Sequence, residues 1–174
     1  TKGWIPTLDK AVEDAPAKGN QEGIFGYGST GSLVSMTNLV SNAGVIATDT
    51  TGVGTGRQTL AATQYGGDKG IFGFGYGPTG ITNLVSNAGV VASDTAGVGT
   101  ARIGLSACGY GYDKGIFGFG TTGSNVDETN LVSNVGVVSA DVTGVGTDRH
   151  GLSATQYDGD KGIFGFGNDG SKTG

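Results

Sequence analysis

The chain has 174 residues, enough for one domain of ordinary size, with a net charge of −5 and only 14% charged residues against roughly 25% in a typical soluble protein. Its ten basic residues form no cluster, which excludes a phosphate-neutralising surface for nucleic acid, and no apolar run approaches the roughly 20 residues of a membrane helix. Glycine supplies 37 positions with no three-residue period, so collagen is excluded, and apolar residues recurring in register argue against disorder.

Residues 1–22 form an N-terminal arm unlike the rest. Trp4, Ile5, Leu8 and Val12 share spacings that fit one helical face, Pro6 suits a first turn, and Pro16, Lys18 and Gly19 read as a break. The expectation is a short helix or irregular arm that caps an end or contacts a partner. No secretory leader is expected, and Cys108, the one cysteine, has no intrachain disulfide partner.

From residue 23 to 174 a repeat takes over. The pair Ile-Phe falls at 24, 71, 116 and 163, which gives units at 24–70, 71–115, 116–162 and a partial unit at 163–174. Ile24 to Tyr27 carries apolar side chains on both faces, as a strand buried on both sides does. Thr37 to Ser41, the turn Asn42-Ala43-Gly44, and Val45 to Ala47 predict a hairpin. Leu60 to Gln64 reads as a fourth strand, turned back by Gly66-Gly67 into the next Ile-Phe. The fold class is therefore all-β. Four-stranded units of about 45–47 residues that cannot bury themselves alone are expected to stack as the blades of a β-propeller.

Arg102-Ile103-Gly104-Leu105-Ser106-Ala107, a glycine turn and Gly115-Ile116-Phe117-Gly118-Phe119-Gly120 together resemble the first two strands of a kelch-type repeat. That resemblance spans residues 23–167 and implies a kelch-like propeller, although an aromatic separates the paired glycines and the family's outer-strand Tyr and Trp are missing. The whole unit, with Asp-Lys-Gly-Ile-Phe-Gly and Thr-Asn-Leu-Val-Ser-Asn, is also similar to repeat-rich structural or tail-associated proteins of environmental bacteriophages. This implies a virion or extracellular setting, with a cytoplasmic one as the alternative.

Thirteen strands, counted from Ile24, do not make a four-bladed ring of sixteen. Closure is therefore expected through oligomerisation, either a dimer completing a six-bladed ring or a larger virion assembly. From the Thr of the hairpin to the next Ile-Phe the spacing is always 34, so all length variation lies in one loop. Candidate ligand contacts on that loop face are Ser29, Thr30, Met36, Tyr76, Thr79, Thr121, Asn125, Asp127, Glu128, Asn168 and Asp169. Asp49, Asp94 and Asp141 lie eight residues before Arg57, Arg102 and Arg149, and are expected to form structural ion pairs with them.

Catalytic, metal and cofactor sites are not expected. The G-x-G-x-x-G spacings (Gly75 to Gly80 among them) precede β-type hairpins where a nucleotide site needs a helix, so they read as turn glycines. His150 and Cys108 are replaced at equivalent positions by Gln58 and Ile103, and by Thr63 and Thr155. Asp158-Gly159-Asp160 hints at calcium, but Gly66 and Gly111 replace the first Asp elsewhere. The expected function is a non-enzymatic structural or adhesion module that presents its loop face to a particle or to a cell-surface glycan or protein. The alternative is a carbohydrate-binding propeller of lectin type with one site per blade.

Overall fold

The computed structural model describes residues 22–77 and 79–171. The arm expected over 1–22 lies outside them except for its last residue. Among the described residues there is no helix, and ten antiparallel strands form four small sheets.

The first sheet pairs β1 (Gly23–Ser29) with β2 (Leu33–Val40). The second has the order β3 (Ala61–Tyr65), β4 (Lys69–Gly73), β5 (Thr82–Val85). The third repeats it as β6 (Ser106–Tyr110), β7 (Lys114–Gly118), β8 (Thr129–Val132). The fourth has only β9 (Ser153–Tyr157) and β10 (Lys161–Gly165). Gly66 and Gly67, at φ 63 and 80, supply the left-handed backbone that turns β3 into β4.

The expected four strands per unit are corrected to three, two in the end sheets. The would-be outer strand touches its neighbour only at isolated bridges, Val85↔Val91 and Thr82↔Thr95, with a slip of one residue between them. Asn83 causes the slip. Its side-chain amide donates to Ala92 O at 3.0 Å, so a side chain takes a carbonyl that a regular ladder would give to a backbone N–H. Asn38 and Asn130 do the same to Ala47 and Ser139.

The sheets stack in chain order, with β3 against β6 and β6 against β9. Tyr27, Phe72, Val85 and Val91 form one core cluster between the first and second sheets. Tyr65, Ile71, Phe74, Leu105, Phe117 and Val132 form another between the second and third. Burial on both faces therefore holds for β4, where Ile71 and Phe72 are buried, but fails for β1. Phe25 on β1 is 64% exposed, because no described sheet packs in front of it.

Candidate functional site

Within each unit the strands alternate direction, so the connections divide between two ends of the stack. The tight turns at 66–68, 111–113 and 158–160 and the hairpin turns at 42–44, 87–89 and 134–136 lie at one end. The loops after β1, β4, β7 and β10 lie at the other, beside the glycine-rich segments that lead into Arg57, Arg102 and Arg149. One face thus collects every loop of variable length.

A repeated arginine network builds that end. Arg57, fully buried, donates from Nε to Phe74 O at 2.9 Å, from Nη2 to Asn83 Oδ1 at 2.6 Å and from Nη1 to Thr55 O at 3.2 Å. Arg102, equally buried, donates to Phe119 O at 2.8 Å, Asn130 Oδ1 at 2.6 Å and Thr100 O at 3.3 Å. A buried guanidinium is costly unless its donors are paired, and here they are. Each arginine also crosses to the preceding sheet and lies over an aromatic ring: Arg57 on Tyr27, Arg102 on Phe74 and Arg149 on Phe119, at 4.2, 4.4 and 4.5 Å from the centroids.

The same rings meet a phenylalanine of the following sheet, the first two pairs edge-on and the third tilted. Tyr27–Phe72, Phe74–Phe117 and Phe119–Phe164 have centroids 5.2, 5.3 and 5.4 Å apart. Tyr27, Phe74 and Phe119, which meet both partners, and Phe166, which meets neither, all adopt φ of 62 to 67, a left-handed conformation unusual for bulky residues. Gly73 makes room for this stack, since a Cβ there would come within 2.7 Å of the Phe117 ring.

The expected ion pairs are corrected in register. The arginines pair with the aspartate that follows by one unit: Arg57 Nη1 is 4.0 Å from Asp94 Oδ1, and Arg102 Nη1 is 3.6 Å from Asp141 Oδ1. None of Asp49–Arg57, Asp94–Arg102 or Asp141–Arg149 forms such a pair among the described residues. The glycine-rich loop carries the chain into a new sheet, so eight residues of separation place Asp and Arg in different sheets. Asp94 instead accepts from Thr55 N, Thr55 Oγ1 and Asn83 Nδ2, and Asp141 from Thr100 and Asn130 in the same way. Burial alone would raise these two carboxyls, but the hydrogen bonds and the adjacent guanidinium outweigh it and hold both below their ordinary value. Asp49 accepts from Asn38 at 2.8 Å.

The loop candidates fall into three groups. Ser29, Thr30 and Tyr76 are exposed, Tyr76 by 51%. Met36 is half-buried within β2, because the hairpin from β1 turns already at residues 30–32, so its place in a loop is corrected. The remainder are half-buried: Thr79 accepts from Ile81 N, Thr121 from Gly123 N, Asn168 from Gly170 N and Asp169 from Ser171 N. Asn125 is brought to Asn168, donating to its carbonyl at 2.9 Å, and its Oδ1 is 2.7 Å from His150 Nδ1. Asp127 and Glu128 border the third and fourth sheets, where Glu128 Oε2 is buried without a hydrogen-bond partner.

Cys108 is buried on β6, and burial pushes its thiol up. Asp158 and Asp160 both accept from Lys161 Nζ, at 2.8 and 2.7 Å. No group of three or more His, Cys, Asp or Glu side chains converges to hold a metal among the described residues. The residues missed by sequence reasoning are Asn38, Asn83 and Asn130. Their signal was present: asparagine is depleted in strands, yet one recurs in every Thr-Asn-Leu-Val.

No family model and no curated protein matches the chain. Among solved structures, it is similar to a novel fungal alcohol oxidase with catalytic diversity among the AA5 family, in complex with copper. The TM-score is 0.50 at 11% identity, over 68% of this chain and 27% of that one. The likeness is one of fold, and the chain spans about a quarter of that protein's length.

Proposed function

We propose that the stacked sheets are blades of a kelch-like β-propeller, closed to six blades by two copies, and that the protein is a non-enzymatic structural or adhesion module. Its variable loops face one way, toward a particle or a host-surface glycan or protein. The observation that carries this reading is the division of labour among polar residues. The repeated Arg, Asn, Asp and Thr side chains are engaged with one another, while length variation and exposed side chains such as Ser29, Thr30 and Tyr76 gather in the loops. A virion or extracellular setting rests on the repeat's similarity to bacteriophage structural proteins. The oxidase's activity and copper belong to that protein.

A lectin-type module is the second reading, favoured by the recurrence of equivalent loops once per sheet, which suits one ligand per unit. Binding of the purified chain to glycan arrays and to whole cells separates the two. Saturation with one glycan per repeat supports the lectin. Cell or particle binding without glycan affinity, lost when the 76–81 and 121–128 loops are replaced by Gly/Ser linkers, supports the adhesion module. No binding to either sinks both.

A further inference from the structure

The two ends of the stack carry complementary halves of the network that the middle sheets complete. Arg149 lies over Phe119 as Arg102 lies over Phe74, yet its buried Nε has no hydrogen-bond partner. No Asn or Asp takes the places of Asn130 and Asp141 around it among the described residues. Among the described residues no third strand lies beside β10, and a groove of about 630 Å³ opens over Tyr110, Ile116 and Phe119, lined also by Phe164 of β10. Between the second and third sheets, Val132 and Val138 pack into the core, and the turn at Gly136 lies on Tyr65 and Leu84.

At the other end the missing pieces stand unpartnered. Asn38 donates to Ala47 O and Asp49 as Asn83 does to Ala92 O and Asp94, but no arginine reaches its Oδ1 among the described residues. The following turn is uncovered: a Cβ at Gly44 would meet nothing within 4 Å where one at Gly89 meets Leu39, and Ile46 is 59% exposed where its counterpart Val91 is buried.

We propose that a second copy of this chain fills the groove, so that Arg149 of one copy binds Asn38 and Asp49 of the other. The partner's β1–β2 sheet, with its 45–50 segment, takes the place of β10 beside β9. This exchange changes little at the ladder, because Gly23 to Gly26 and Gly162 to Gly165 are both Gly-Ile-Phe-Gly. Phe25 then sits on Phe119 where Phe164 sat, and Arg149 Nε faces the Tyr27 carbonyl, as Arg57 Nε faces that of Phe74. Val40 and Ile46 occupy the groove in the manner of Val132 and Val138. The displaced β10 was exposed or half-buried along its length. A two-fold axis makes both exchanges equivalent and closes the ring. The inference rests on the propeller reading and names the residues that would close it.

The test is the solution mass of the full chain by light scattering over a range of concentrations, for wild type and three variants. Wild type is expected to be a dimer. Arg149→Ala and the double variant Asn38→Ala/Asp49→Ala each weaken dimerisation by about tenfold or more. Mixing the two restores association, since one of the two joints then has both native halves. Ile46→Asp, at a position exposed in the single chain, prevents dimerisation while circular dichroism stays native. A monomer at all concentrations overturns the proposal, as does a dimer indifferent to all three variants. A monomer that still binds cells through its loops sinks this inference and the two-copy closure, and leaves the adhesion reading standing. A dimer that binds nothing sinks the functional reading alone.

Discussion

The second and third sheets and the two end sheets are written in nearly the same words but stand in different surroundings. Phe74 and Phe166 follow the same Gly-Ile-Phe-Gly, share a φ of 63, and differ in exposure from 0% to 81%. Arg102 and Arg149 both lie on an aromatic ring, but Arg102 has a full set of acceptors and Arg149 an orphaned Nε. In such a stack a residue's worth is set by its neighbours on both sides, and identical sequence yields unequal stabilisation.

The largest effect expected from that inequality is at the arginines. Arg102→Ala strands Asn130 and Asp141 and should cost about 3–5 kcal/mol. Arg149→Ala, measured at concentrations where the chain is monomeric, should cost under about 1 kcal/mol. Urea midpoints of the two variants check the gap, and equal costs would break the comparison. Next come the aromatics: Phe117→Ala should lower stability by about 3 kcal/mol through the cavity it leaves, while Phe166→Ala stays within about 0.5 kcal/mol.

A third, smaller effect is on pH dependence. Because Asp94 and Asp141 ionise below their ordinary value near 3.8 when folded, the unfolded chain takes up protons first as pH falls. Their contribution is full above that value and disappears as pH drops through the lower folded one. The urea midpoint should hold from neutrality to about pH 4 and then fall. Asp94→Asn and Asp141→Asn should flatten that fall, and an unchanged slope would remove these carboxylates from the account. The smallest effect is at the loop face, where Tyr76→Ala should leave the midpoint within about 0.5 kcal/mol and alter only binding to a target.

Much of the fold was legible because the repeat reports it four times. The Ile-Phe strands, the Leu60 to Gln64 strand and the glycine turn between them are where the residues place them. Loop 29–36 was overestimated because β-forming Leu33, Val34 and Met36 extend the strand. The arginine partners were misread because a spacing of eight counts along the chain, whereas Arg57 finds Asp94 across the width of a sheet. The left-handed aromatics went unread although each stands between two glycines after Ile-Phe, and Phe166 keeps the same φ with no ring against it, so the conformation belongs to the local motif. The one-residue slip in each of the three units depends on where Asn38, Asn83 and Asn130 point.

Arg57 holds Phe74 O with one nitrogen and Asn83 Oδ1 with another, and these two residues are the feet of the loop between β4 and β5. The guanidinium works as a clamp on an open hoop. With both feet pinned, the hoop can grow at a closure cost of about 0.6 kcal/mol per doubling of length, and the strands keep their register. Tandem units clamped in this way suit recombination: a hoop can be lengthened in one unit while the strands at its feet keep their places. The third sheet's hoop, through Asn125, also touches its neighbour's His150 and Asn168. The scaffold separates what must stay constant from what is free to diversify.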